Sequence, residues 1–249
     1  MHVLTSAPVL LVLLVAVVSA CNAQREDRVP ADTTARAAPP RATAQLPLVD
    51  SGAPTLPPSD EADASFRSFR TTTLAALSAR DTAYLYRILA PDIKNSFGGD
   101  DSIAGFKRIW RMAEGGTEVW DALSRVLRMG GALQGDSAFI APYVYAFWPD
   151  SIDAFEHVAV VAANAPVRDE PSQATPPTGR LSHSIVRIED WQSLGESGVA
   201  SDSTWARVRL PGGRSGWVRG LDVYSPVSWR AFFARRNGRW ILQLFVAGD

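Results

Sequence analysis

The chain has 249 residues, of which 46% are hydrophobic, so it is long and apolar enough for one large or two small folded domains. Its formal net charge of −1 provides no global field for nucleic acid, and no nucleic-acid partner is expected. One cysteine and three histidines are too few to predict a disulfide framework or a structural zinc site, and no motif indicates a metal or a cofactor.

The N-terminus combines an apolar run with the single cysteine. Val9 to Val18 are ten apolar residues, too few to span a bilayer, which requires about 20, but typical of a signal-peptide core. Val18-Ser19-Ala20-Cys21, at its end, resembles a bacterial lipobox. The resemblance implies that residues 1–20 are removed and that Cys21 carries the membrane lipid that anchors the chain in a bacterial cell envelope, facing the periplasm or the outside. Ordinary secretion, with Cys21 a bystander near the cleavage site, is the alternative.

The segment after the cysteine is rich in proline and alanine. Residues 22–60 contain seven Pro and eight Ala, with no Phe, Tyr or Trp. Such a composition cannot bury enough apolar surface to offset the entropy lost on ordering. We therefore predict a disordered tether over residues 21–58.

Residues 59–154 read as helices followed by a hairpin. Helical spacing and capping side chains predict four helices, beginning at Ser59 or Asp60, at Asp81, at Asp101 and after Thr117. The hairpin consists of 132–134 and 137–148, which flank Gly135-Asp136. In its order, and in the motifs Ala79-Arg80-Asp81 and Leu89 to Ile93, this region resembles the cone-shaped α+β fold of the ketosteroid isomerase and nuclear transport factor superfamily.

One polar cluster in this region is a candidate for catalysis, because the cone-shaped fold hosts enzymes. Paired carboxylates can perform acid–base chemistry if burial separates their pKa values. The alternative is that these residues cap a helix and form a turn, and burial distinguishes the two. The cluster comprises Asp92, Asn95, Ser96, Asp100 and Asp101.

The stretch Thr204 to Leu221 reads as strand, tight turn and strand, with Pro211-Gly212-Gly213 as the turn. Its Trp205-x-x-Val208 and Gly213 to Val218 resemble the end of bacterial SH3 (SH3b) domains. Pro166 to Ser172 resembles the start of such a domain, and Gly179 to Leu181 with Ile185 to Ile188 resembles its middle. The resemblance implies an SH3-like β-barrel over residues 155–225.

The resemblance also implies a peptide groove in this module. We predict Tyr224 on its rim, with the Pro166 to Ser172 loop and the Gln192 to Ser203 loop beside it. For Trp205 and Trp217 the alternative is that they form the barrel core, since large aromatic side chains bury most of their area. The tentative ligand-binding residues are Val167, Arg168, Trp205, Trp217 and Tyr224.

The tail, residues 226–249, is predicted to be one hairpin turning at Asn237-Gly238. One face carries Trp229, Ala231, Phe233, Trp240, Leu242, Leu244 and Val246, and the other carries Phe232, Ile241 and Phe245 among arginines. Two apolar faces are more than the edge of a small barrel can bury. We therefore expect the hairpin to join the sheet that contains 139–148, which makes the SH3-like module an insertion.

These patterns predict an α+β chain with N-terminal helices and a small antiparallel sheet, then an SH3-like β-barrel and a C-terminal hairpin. The expected function is that of a non-catalytic envelope lipoprotein whose module binds a cell-wall peptide or an envelope protein. Two alternatives stay open. One is an enzyme or small-ligand binder using the polar cluster of the cone-like region, and the other is a structural assembly factor without a small ligand.

Overall fold

The computed structural model describes residues 46–99, 101–192 and 199–248. Cys21, the predicted signal peptide and the first part of the predicted tether lie outside these residues, as does Asp100. The described part has a mixed α+β architecture with five α-helices and three sheets, none of which closes into a barrel. The SH3-like barrel expected from the sequence is therefore not seen as a closed sheet.

The first three helices begin where short polar side chains satisfy free backbone N–H groups. Asp81 Oδ1 accepts from Tyr84 N at 2.9 Å, as predicted. Thr117 occupies the predicted N-cap position of the fourth helix but makes no side-chain capping hydrogen bond. Two predicted caps were wrong. Asp63 caps the first helix in place of Ser59 or Asp60, and Ser102 caps the third in place of Asp101. The helices are α1 Ala64–Ser78, α2 Thr82–Ile88, α3 Ile103–Ile109, α4 Glu118–Arg128 and α5 Tyr143–Ala146.

Five strands form the first sheet: β1 Leu89–Lys94, β2 Ala132–Gln134, β3 Ala138–Ala141, β11 Arg230–Arg236 and β12 Arg239–Val246. Their order is β1-β12-β11-β3-β2, with β1 parallel to β12 and the other pairs antiparallel. The tail hairpin therefore belongs to this sheet. Its turn residues Asn237 and Gly238 both have positive φ, 51° and 74°, which a type I′ turn requires.

Two details of this sheet differ from the sequence prediction. β3 ends at Ala141, not near Trp148, because Pro142 lacks an N–H and its carbonyl accepts from Ala146 N at the start of α5. In β12 the register shifts between the pairs Phe232↔Leu244 and Phe233↔Leu242. This bulge reverses the alternation, so Phe245 is buried and Leu244 only partly so.

The inserted segment between β3 and β11 forms two further sheets. Their strands are β4 His157–Val160, β5 Ala165–Val167, β6 Gly179–Leu181, β7 Ile185–Gln192, β8 Trp205–Arg209, β9 Ser215–Arg219 and β10 Val223–Tyr224. The larger sheet has the order β10-β4-β7-β8-β9 and is antiparallel throughout. The smaller sheet pairs β5 with β6, and a single bridge from Arg168 to Trp217 links it to β9.

Aromatic rings fill the space between α1 and the first sheet. Phe66 on α1 stacks on Phe139 with ring centroids 3.8 Å apart, and Phe233 and Trp240 meet it edge-on. Trp110 stacks on Phe245 at 5.4 Å. The space between the helices and the first sheet is therefore occupied by side chains. Ala159, Ile185 and Tyr224 of the insertion belong to the same core.

Candidate functional site

Residues 46–58, called the strap here, run along the insertion instead of continuing the predicted disordered tether. Val49 N donates to Arg180 O and Arg180 N donates to Pro47 O, both at 2.9 Å, so Leu48 pairs with Arg180 in a single parallel β-bridge. The strap thus satisfies backbone groups on the outer edge of β6. The prediction of disorder over 21–58 was wrong for this part of the segment, because β6 supplies partners that the composition does not reveal.

Side chains fix the strap at this edge. Asp50 Oδ2 accepts from Ser182 N at 2.8 Å, and Arg180 Nε donates to Leu46 O at 2.9 Å. Val49 lies over Gly179, and a Cβ atom added to Gly179 would lie 2.6 Å from Val49 Cγ1. A side chain at position 179 would therefore clash with Val49, so this close approach requires glycine. The Asp50 residue that binds Ser182 N is itself only 9% exposed.

The second half of the strap is held in the same way. Leu56 N donates to His183 O and Ile185 N donates to Pro54 O, each at 2.7 Å. The Leu56 side chain enters the main core. An extended segment of the chain thus recognises the insertion through backbone hydrogen bonds and alternate side chains, which is the mode of β-strand addition.

Most of the predicted groove residues are buried. Val167, Trp205 and Tyr224 are 0%, 5% and 6% exposed, and only Arg168 and Trp217 keep part of their surface. Arg168 and Trp217 are joined by reciprocal backbone hydrogen bonds of 2.7 and 2.9 Å. The five residues therefore do not line one open groove. The Gln192 to Ser203 loop, expected beside them, is described only in part, since residues 193–198 lie outside the described residues.

The prediction that Tyr224 lies on a rim was wrong. Its hydroxyl donates to Trp229 O, and the Arg125 guanidinium lies 5.0 Å from its ring centroid. Burial raises the pKa of Tyr224, and the nearby Arg125 charge lowers it in part. Arg125 on α4 thus covers the Tyr224 ring on β10, and Tyr224 contributes to the packing between these two elements.

Arg125 on α4 is the residue that sequence reasoning missed. Its Nη2 donates to the carbonyl oxygens of Gly220, Leu221 and Val223 at 3.0, 3.2 and 2.8 Å. Burial lowers the pKa of Arg125. These partners lie 95 to 98 residues further along the chain, so no local pattern identifies them.

A cavity of about 260 Å³ lies at this junction between α4 and the end of the insertion. It is largely apolar, and two of its polar side chains, Arg125 and Tyr224, already donate to backbone carbonyls. Ligand sites usually measure about 300 to 1,000 Å³, so this cavity suits at most a small apolar group. Its lining includes Ala122, Trp191, Val199, Tyr224, Val227 and Trp229.

The alternative catalytic cluster does not converge in an apolar pocket among the described residues. The Asp92 side chain is 67% exposed and lies 3.8 Å from Arg236, and that of Asp101 is 37% exposed and lies 3.5 Å from Lys94. Asn95 is buried, but it donates to Ser102 O at 2.8 Å, and Ser96 Oγ accepts from Gly98 N. These residues have the turn and capping arrangement, and Asp100 lies outside the described residues.

Within the described ranges, no group of three or more His, Cys, Asp or Glu side chains could hold a metal ion. None of the helices in the same ranges is long and apolar enough to cross a membrane. Comparison with known proteins finds no matching family, no matching curated protein and no matching solved structure.

Proposed function

We propose that the protein is a non-catalytic lipoprotein of the bacterial cell envelope whose inserted module binds an extended peptide. The observation that carries this proposal is the strap, which occupies the β6 edge through backbone hydrogen bonds to Arg180 and continues past it to His183 and to Ile185 at the start of β7. A peptide from the cell wall or from an envelope protein would use the same donors and acceptors. The lipobox-like sequence at Cys21 supports the envelope location.

The proposal includes that the inserted module is related to bacterial SH3 domains. The bridge between Arg168 and Trp217 connects the β5–β6 pair to β9 of the five-stranded antiparallel sheet. This order is compatible with a small barrel that is open between sheets. The near-balanced charge of the module supports recognition by shape and hydrogen bonds over recognition by a strong field.

The strap is expected to compete with an added peptide, because an attached segment acts at a local concentration in the millimolar range. A labelled peptide of sequence 46–58 should bind the wild-type full chain weakly. It should bind Asp50→Ala at least about tenfold more tightly, since that change removes the Ser182 contact and weakens the attached strap. Fluorescence anisotropy measures the two affinities.

Ser51→Ala is the matched control, because Ser51 is exposed and adjacent to Asp50. Equal peptide affinity for wild type, Ser51→Ala and Asp50→Ala would show that the β6 edge does not accept peptides in trans. Retention of the Asp50→Ala chain on purified peptidoglycan separates the two partner classes. Increased retention indicates a cell-wall peptide, and unchanged retention with increased peptide binding indicates an envelope protein.

The anchor gives a second prediction. In a bacterial host, mass spectrometry of the mature chain should find Cys21 as the N-terminal residue with covalently attached acyl chains, because only its thiol can form the thioether. Cys21→Ser should remove the acyl mass and leave the chain in the soluble fraction or unprocessed, whereas Asn22→Ala should be lipidated normally. An unmodified N-terminus at Ala23 or Gln24 would contradict the lipoprotein assignment.

The alternatives make different predictions. The aromatic rings around Phe66 fill the space between α1 and the first sheet. An enzyme or small-ligand binder of the N-terminal part would therefore have to use the open cleft of about 910 Å³ beside the end of α1 and along α4. A structural assembly factor would show no peptide binding by Asp50→Ala.

A further inference from the structure

Arg230, the first residue of β11, is buried without a complete set of hydrogen-bond partners. The residue is 7% exposed, and its Nη2 donates to Gly248 O at 2.8 Å. Its Nη1 is buried and has no hydrogen-bond partner among the described residues. A guanidinium N–H removed from water without an acceptor is unfavourable, so an anionic acceptor at Nη1 would stabilise this arrangement.

Two aromatic rings lie next to this guanidinium. The ring centroids of Phe97 and Tyr145 are 5.4 and 5.0 Å from Arg230 Cζ, which is cation–π distance. Both rings are themselves on the surface, with Phe97 50% exposed and Tyr145 37% exposed. Exposed side chains change rotamer within nanoseconds, so a ring can move aside and open a path to Nη1 without a change of fold.

We propose that Arg230, Phe97 and Tyr145 form a binding site for a carboxylate carried on an apolar, preferably aromatic, body. The carboxylate oxygen would accept from Nη1 and place a negative charge beside the guanidinium, since charge-assisted hydrogen bonds are the stronger ones. The body of the ligand would pack on the two exposed rings. One free Nη group provides too few donors for a dianionic phosphate, which favours a monoanion. The inference is independent of peptide binding at β6.

The test uses the full chain and benzoate as the probe, in isothermal titration calorimetry. We expect saturable binding of benzoate and none of benzyl alcohol, which has the same ring without the charge. Phe97→Ala should weaken benzoate binding about tenfold, because one aromatic contact is lost at a half-exposed position. Phe155→Ala is the matched control, since Phe155 is 63% exposed and should leave benzoate affinity unchanged.

Arg230→Met should abolish benzoate binding. Because this buried substitution can impair folding, Phe97→Ala keeps the test decisive by itself. Equal binding of benzyl alcohol and benzoate, an unchanged affinity in Phe97→Ala, or no saturable binding of benzoate to the wild-type chain would each overturn the proposal. A peptide ending in a phenylalanine carboxylate, compared with its C-terminal amide, identifies the source. Tighter binding of the acid form than of benzoate assigns a peptide C-terminus, and weaker binding assigns a small free acid.

Discussion

Phe66→Ala should lower the free energy of unfolding by about 3 to 5 kcal/mol, the usual range for a large aromatic side chain removed from a core. Phe66 is 0% exposed, and its ring contacts Phe69, Phe139, Phe233 and Trp240 at centroid distances between 3.8 and 5.6 Å. The substitution would leave a cavity bounded by rings from α1, β3, β11 and β12, which cannot all move inward. No other position joins so many of these rings among the described residues.

Urea denaturation followed by tryptophan fluorescence measures this effect, because Trp240 lies 5.0 Å from the Phe66 ring. Phe155→Ala removes the same atoms from an exposed site and should change stability by less than about 0.5 kcal/mol. A loss below about 1 kcal/mol in Phe66→Ala would mean that the aromatic cluster collapses around the vacancy. The packing between α1 and the sheet would then be looser than the ring distances indicate.

Arg125→Met should destabilise the chain by about 2 to 3 kcal/mol, because three backbone carbonyls lose their charged donor while the aliphatic stem is retained. Gly220, Leu221 and Val223 precede and enter β10, and Arg125 Nη2 is the shared donor to all three. Exposed ion pairs typically contribute less than about 1 kcal/mol, so the expected effect depends on the partly buried position of this guanidinium and on its three acceptors.

The control for this substitution is Arg128→Met, one helical turn later on α4 and exposed. Thermal unfolding of both variants is measured beside the wild type, and only Arg125→Met should lower the melting temperature substantially. If the two variants have the same melting temperature, then Tyr224 packing and the remaining core contacts hold the insertion on α4. The Arg125 hydrogen bonds would then contribute little net stability.

The strap and the Arg125 contacts have a common consequence for the proposed function. Both tie the insertion to the rest of the unit, the strap through Leu56 in the main core and Arg125 through the carbonyls before β10. A peptide that displaces residues 46–50 from β6 would still leave the second half of the strap attached at His183 and Ile185. The proposed exchange of the strap for a peptide would therefore leave the position of the module against α4 unchanged.

Local chemistry in the sequence determined several elements. Asn237-Gly238 accommodates the two positive φ angles of a type I′ turn, and Asp81 caps α2, because both depend on residues within a few positions. The alternation of Trp205 to Leu210 and the turn at Pro211-Gly212-Gly213 likewise gave β8 and β9. In each case the sequence window contains all the interacting groups.

Only the tertiary structure decided the features on which the proposals rest. The strap lacks aromatic residues, and its composition predicts disorder. Arg180, more than 130 residues further along the chain, nevertheless supplies backbone hydrogen-bond partners that hold it in place. Tyr224 has the pattern of a rim residue, but α4 covers it and Arg125 lies over its ring. Because of the β12 bulge, Phe245 is buried in the core, whereas Leu244, predicted to face the core, is only partly buried. These outcomes depend on which distant groups meet, because an unpaired edge, a buried hydroxyl or a shifted register is satisfied by partners that no local window contains.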